Sequence, residues 1–442
     1  MRISLSRRVT AVVAAVGLAL VAVPASTANA DDHACGLGET CDGVLSGPLG
    51  DSTFKIKVPE NFNGTVLLNS KQYSASVPIP AGLAVPLGYA NSAYYSPVTI
   101  PGLGAGYAAN GVATVVPEGA PELESALLNQ GYALAGTGLA RQGWAVAEGV
   151  EAGENLIKYI NGGGIKGVKQ ILAWGNSMGA ETTQALIQRN PGKIAGSLPA
   201  CMASTEFFGD TYMTALYTWK TLIDPSIQGY NYAPGQAGYA QAMGDLQKIL
   251  TTLGAVASGQ ATVSSAGYPI ALANLLGGLL AGLPTVSPTY DGVTVNPAVA
   301  TLGTAGAIAG GYSPLSSGQS AAAAMLQNVG GIIGTGITLQ LDLEGRARAI
   351  GSIPANEGAA YVGNVGVNYS KLLSPEQRGQ FEDTFATAGP GVLDAMLAAL
   401  AAGERVEANP VAAKVVAGLP SASAVYNNKP TVALAGTYDL RV

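Results

Sequence analysis

The sequence predicts an α/β layered domain interrupted by a large, mainly helical insertion, and three observations carry that prediction. Short apolar runs without polar alternation at 132–138, 170–174 and 194–198 read as parallel strands buried on both faces. Helix-like stretches separate them, and strand–helix alternation of this kind covers a sheet with helices. From about residue 205 to 426 the texture becomes rich in Ala, Gly, Ser and Leu, with helices set between long loops. An apolar strand then returns at 431–435. The expected organisation is residues 1–30 as an export signal, 31–204 as the first part of the sheet domain, 205–426 as the insertion and 427–442 as the return to the sheet.

Taken in order, Arg2, Arg7 and Arg8 form a positive start and 9–23 an apolar run short for a membrane span. Ala28-Asn29-Ala30 fits a small-residue cleavage site, so cleavage is expected after Ala30. Removal takes three Arg and no acid, moving the formal net charge from −6 to −9. The nearest later apolar stretch, 268–283, is interrupted by Pro and Gly, so no stable membrane anchor is expected. Export implies an oxidising compartment, where Cys35 and Cys41 are expected to pair and Cys201 is left over. Two strands, 53–58 and 65–68, flank Asn63-Gly64, a hairpin signal that predicts direct pairing between them. A helix is expected over 145–160, stopped by Gly162-Gly163-Gly164, and another from Ser177 to about Arg189, ended by Asn190-Pro191. Within the insertion, Ser374-Pro375-Glu376-Gln377 has the cap residue, proline and reciprocal Gln that open a helix. Val392, Leu393, Met396, Leu397 and Leu400 form the stripe of the next, closed by Gly403.

Composition excludes several function classes. The 442 residues carry 28 acidic against 22 basic side chains and 48% hydrophobic residues. This is enough to bury a core and the wrong balance for coating nucleic acid, which needs clustered Lys and Arg. One His, His33, rules out a His-rich metal site, and no phosphate-binding Gly loop precedes a helix with a Lys. No cofactor and no metal are therefore expected.

Gly175-Asn176-Ser177-Met178-Gly179 fits the G-x-S-x-G pattern. In a chain with 60 Gly the pattern alone is weak. Its context is stronger, because the apolar run Ile171-Leu172-Ala173-Trp174 precedes it and good helix formers follow, giving strand, sharp turn and helix. Such a turn presents the Ser177 hydroxyl above the sheet, and the Met178 N–H at the helix start can face a developing oxyanion.

With these phrases the sequence resembles the secreted actinobacterial branch of the α/β-hydrolase superfamily. Gly131-Tyr132-Ala133-Leu134-Ala135-Gly136, Gln142-Gly143-Trp144-Ala145-Val146, the elbow from Trp174 to Gly179, and Leu198-Pro199-Ala200-Cys201 follow its order. Tyr217-Thr218-Trp219-Lys220-Thr221-Leu222-Ile223 is similar to the start of its cap. Lys429-Pro430-Thr431-Val432 with Gly436-Thr437-Tyr438-Asp439 is similar to its acid-bearing strand. The resemblance covers most of the chain outside 1–30 and is weakest over about 230–370. It implies an α/β-hydrolase fold, a mostly parallel sheet with flanking helices and a helical cap inserted before the acid strand. It also implies Ser177 as nucleophile and Asp439 as the acid that orients a His. Glu206 and Asp210 are the alternative acids.

Two departures qualify the resemblance. Where many relatives carry a His-Gly pair supporting the oxyanion hole, this chain has Asn69-Ser70-Lys71-Gln72-Tyr73, so the backbone N–H of Gln72 is the expected second donor. No His follows Asp439 before Val442, and His33 precedes the first strand. The expectation is that the final strand, its helix and the His-bearing loop, with a partner for Cys201, lie beyond residue 442. Two functions follow. One is a secreted serine esterase, with a serine aminopeptidase as its variant within enzymes, acting on a small-molecule ester or short peptide. The other is a catalytically inactive remnant or binding module. Leu275, Leu276, Leu279, Leu280 and Leu283 favour a lipophilic ester if they line the cap, although a helix core would read the same way.

Overall fold

The computed structural model describes residues 34–73, 99–100, 104–105, 112–117, 121–141, 143–257, 260, 263–282, 289–290, 293–294, 321–384, 391–419 and 429–432. Six strands form one sheet: β1 (Thr40–Leu45), β2 (Ser52–Lys57), β3 (Thr65–Ser70), β4 (Ala133–Thr137), β5 (Gln170–Asn176) and β6 (Gly196–Ala200). Their spatial order is β1-β2-β4-β3-β5-β6. The first two neighbouring pairs are antiparallel and the remaining three parallel. Two-residue strand pairs at 99–100 with 104–105 and 289–290 with 293–294 stand apart from it.

The connecting helices are α1 (Pro121–Asn129), α2 (Val146–Tyr159) and α3 (Met178–Arg189). Both faces of the parallel strands are apolar, as uninterrupted hydrophobic runs require. Val66, Leu68, Ala133, Ala135, Ile171 and Ala173 pack against Val150, Leu156 and Ile157 of α2 and Leu186 of α3. On the other face, Leu67, Leu134 and Trp174 meet Val115, Val116 and, from α1, Leu127 and Leu128. α2 closes in a single π-helical turn, Ile160–Gly164, whose Gly164 carbonyl accepts the Cys35 N–H at 2.8 Å. Cys35 is disulfide-bonded to Cys41, so the N-terminal loop is tied both to β1 and to the end of α2.

One expectation fails in its pairing. β2 and β3 do not form a hairpin, because β4 lies between them, antiparallel to β2 and parallel to β3. The Asn63-Gly64 turn spends its hydrogen bonds elsewhere: the Asn63 N–H donates to Gly131 O at 2.8 Å and its Nδ2 to Gln130 O at 3.1 Å. The turn therefore fastens the start of β3 to the approach to β4. β2 pairs on its other side with β1, a strand that Asp42-Gly43 hides from propensity.

Beyond β6 the described chain is mainly helical: α4 (Thr205–Leu222), α5 (Gln236–Ala257), α6 (Ile270–Leu280), α7 (Ala321–Gly351), α8 (Pro375–Thr384), α9 (Val392–Ala402) and α10 (Pro410–Ala417). α4, α6 and α7 make its centre, where Trp219 is fully buried and donates from Nε1 to Asn274 Oδ1 at 2.8 Å. Leu275, Leu276, Leu279 and Leu280 are buried in the same core, so that run is packing and does not line an open surface; Leu283 lies outside the described residues. α8 opens with the expected reciprocal cap, Gln377 N–H to Ser374 Oγ at 3.1 Å and Ser374 N–H to Gln377 Oε1 at 2.8 Å. The chain then returns to the sheet. Ser197 N–H donates to Pro430 O and Val432 N–H to Ser197 O, both at 3.0 Å, placing Thr431 parallel beside β6. Residues 433–435 of the expected strand lie outside the described residues. No helix among the described residues is long and apolar enough to cross a membrane.

Candidate active site

The sheet's parallel strands all end at one edge, and that edge is where the loops after β3, β4, β5 and β6 converge. In open α/β sheets this edge is the usual ligand site. Ser177 stands between the last residue of β5 and the first of α3, at φ 57° and ψ −123°, a backbone conformation that a side chain normally avoids. Its N–H donates to Ala200 O at 3.0 Å, and its carbonyl accepts from Ala180 N–H at 2.9 Å. The turn is thus pinned on both sides. The two flanking glycines explain why the chain can run so close. A Cβ on Gly175 would sit 2.3 Å from Gly179 O, and one on Gly179 would sit 2.2 Å from Ser70 O. Neither contact is possible, so both positions require glycine. Ser177 is partly exposed, and the α3 residues from Met178 to Ile187 are buried.

Met178 opens α3, so its N–H is among the helix-start donors that have no intrahelical acceptor, at the positive end of the helix dipole. Gln72 lies two residues beyond β3. Its Oε1 accepts from Asn176 Nδ2 at 3.4 Å, which puts the loop after β3 alongside the residue preceding Ser177. Lys71 is buried, and its Nζ donates to Val112 O at 2.9 Å. Thr183 of α3 donates to Ser70 Oγ at 3.0 Å, stitching the same loop to the helix that carries Met178. Ser177, Met178 and Gln72 are therefore brought together. Cys201 follows β6 with φ 48°, and Ala203 N–H donates to Ser177 O at 3.5 Å, so the loop after β6 also abuts the elbow.

Asp439 and His33 lie outside the described residues. Of the alternative acids, Glu206 lies in the first turn of α4 and Asp210 on its exposed side. A further carboxylate, Glu181, lies one turn into α3, is fully buried and accepts from Thr205 N–H at 3.4 Å, which ties the start of α4 to the elbow helix. Also unforeseen is a band of buried polar contacts between α7 and the loops of the site. Asp342 pairs with Arg141 and accepts the Trp144 N–H at 3.0 Å, while Arg346 pairs with Glu148 at 2.8 Å. Burial pushes the Asp342 carboxyl up, with Arg141, Arg346 and the Trp144 N–H pulling it back. The only trace of this in the sequence is polar residues at even spacing in an otherwise apolar helix, Thr338, Gln340, Asp342 and Glu344.

The strand order, the strained Ser at the strand–helix turn and the helices on both faces make this an α/β-hydrolase fold. No family model matches the chain. No curated protein matches it either. Among solved structures, an esterase from Pyrococcus furiosus aligns at 12% identity and a TM-score of 0.26 over 40% of this chain and 58% of its own. A putative dipeptidyl aminopeptidase IV from Bacteroides ovatus aligns at 14% identity and 0.23 over 37% of this chain and 21% of its own. An esterase from Aspergillus oryzae aligns at 15% and 0.24 over 44% and 33%. The chain thus spans less than two thirds of each of these proteins, and the fold assignment rests on its own topology.

Proposed function

We propose that this chain is a secreted serine hydrolase that cleaves carboxylic esters by acyl transfer, with Ser177 as nucleophile. Ser177 Oγ attacks the ester carbonyl carbon while its proton passes to a base. The carbonyl oxygen, now negative, receives hydrogen bonds from the N–H groups of Met178 and Gln72. Collapse of the tetrahedral intermediate expels the alcohol, which takes up the proton, and water then releases the acid and regenerates Ser177. Asp439 is assigned to orient the base, a His in this type of site. The observation that carries the reading is Ser177 at φ 57° between two glycines that leave no room for a Cβ. That strain has no purpose in an ordinary Gly-Ser turn and is what presents a nucleophile. The Cys35–Cys41 disulfide and the positively charged, apolar start of the sequence support an exported protein acting on small esters or short peptides.

One observation favours a second reading, an inactive binding module: the sole His of the 442 residues is His33, far in sequence from the elbow. Hydrolysis of p-nitrophenyl esters of graded acyl length, run beside aminoacyl p-nitroanilides, separates the possibilities. Ester turnover lost in Ser177→Ala supports the esterase, anilide turnover transfers the proposal to a peptidase, and retention of either activity in Ser177→Ala defeats it.

A further inference from the structure

α7 carries two polar stripes on opposite faces. Thr338, Asp342 and Arg346 recur at every fourth position, and Gln340, Glu344 and Arg348 follow each by two residues, a rotation of about 200°. The second stripe grips the helical region itself: Glu344 accepts the N–H groups of Asn231 and Tyr232 at 2.6 and 2.8 Å, and Arg348 Nη2 donates to Tyr232 O at 3.3 Å. The first stripe grips the sheet domain. Arg346 forks onto Glu148 of α2, Asp342 holds Arg141 and the Trp144 N–H, and Thr338 meets Tyr73.

The Thr338 contact bears directly on the candidate site. Tyr73 follows Gln72, and its hydroxyl lies 2.9 Å from Thr338 Oγ1. Thr338 donates its own proton to Thr335 O at 2.8 Å, so the Tyr73 hydroxyl is the donor to Thr338. The Tyr73 ring packs 6.1 Å from that of Trp144, and the backbone N–H of Trp144 is held by Asp342. The loop after β3 is thus anchored by Lys71 to Val112, by Gln72 to Asn176 and by Tyr73 to a helix 265 positions away. Of these three anchors, the last comes from the helical region.

We infer that α7 is a fixed strap across the strand ends, and that Thr338 and Tyr73 are positioning residues that hold the Gln72 loop in register with Ser177. The functional part rests on the hydrolase reading; the positioning part does not.

The test uses the full chain with Thr338→Val and Tyr73→Phe, each nearly isosteric and each removing one hydroxyl, and Thr338→Ser, which restores it. Amide hydrogen exchange at Gln72 and Tyr73 is expected to rise about tenfold in the first two variants and to match wild type in Thr338→Ser, with exchange in α6 unchanged. The kcat for a p-nitrophenyl ester should fall by a similar factor at constant KM, with rescue by Thr338→Ser. Unchanged exchange at Gln72 and Tyr73 in either folded variant overturns the strap. Faster exchange with unchanged kcat overturns its link to catalysis. If wild type itself turns over no ester, the hydrolase reading falls and the exchange data alone decide whether α7 positions the loop.

Discussion

The sheet domain and the helical region solve the same problem, holding a segment in one place, by different physics. In the sheet domain the segments are placed by backbone and by missing atoms. β5 and α3 are fixed by ladder and helix hydrogen bonds, Gly175 and Gly179 permit the close approach, and Ser177 takes the strained conformation that remains. In the helical region the segments are placed by buried side-chain charge. Glu344 and Asp245 hold the loop at 228–232 from two helices, and Asp342 and Arg346 reach across to the sheet domain. The first method is local and tolerates almost no substitution. The second is long-range and fails one partner at a time, because a buried charge that loses its partner is costly.

The sharpest way to break that contrast is at Gly179. Gly179→Ala puts a Cβ against two backbone carbonyls, at 2.2 Å from Ser70 O and 3.0 Å from Lys71 O, and neither can yield without moving β3. A loss of roughly 4 kcal/mol or more, or failure to fold, is expected in urea denaturation. A loss under about 1 kcal/mol would mean that the elbow is not tight. Next is Asp342→Ala, which removes the buried carboxylate that pairs with Arg141 and accepts the Trp144 backbone N–H. It should cost about 3–5 kcal/mol. Asp342→Ala together with Arg141→Ala should cost clearly less than the sum of the two single changes, as a double-mutant cycle would record.

The third test uses pH. Burial raises the Glu344 carboxyl from its ordinary 4.5 to about 7, against the N–H donors that favour its charged form. A value higher in the folded than in the unfolded state means that folding favours the protonated form. The stability Glu344 contributes is therefore fully present below about 4.5 and lost as pH rises through about 7, a span of about 3 kcal/mol. Glu344→Gln should flatten the unfolding free energy between those pH values by a large part of that amount. A variant whose pH dependence equals wild type would show that Glu344 does not set it. The smallest effect is local. Ser374→Ala removes the cap of α8 and should cost about 1 kcal/mol with no change in ester turnover.

What could be read from the sequence follows the same division. The elbow, the parallel strands, α2, α3 and the cap of α8 are written in neighbouring residues, so spacing and capping signals reveal them. The Asn63-Gly64 turn was visible, but its partner was not, because the residues it bonds, Gln130 and Gly131, stand far along the chain. The α7 contacts were hidden for a related reason. Thr338 and Asp342 look like ordinary polar residues until their helix is laid over Tyr73, Arg141 and Trp144. The leucines at 275–280 illustrate the opposite error, since an apolar run has the same appearance whether it lines a cleft or fills a helix core, and here it fills the core.

Ser177 is proposed here as a nucleophile presented by a strained turn. Reaction of the purified chain with a fluorophosphonate, followed by intact-mass and peptide mass spectrometry, tests it most directly. One adduct per chain is expected, located on Ser177, absent in Ser177→Ala and slowed in Thr338→Val. A folded wild-type chain that forms no adduct, or one whose adduct sits on another residue, would contradict it.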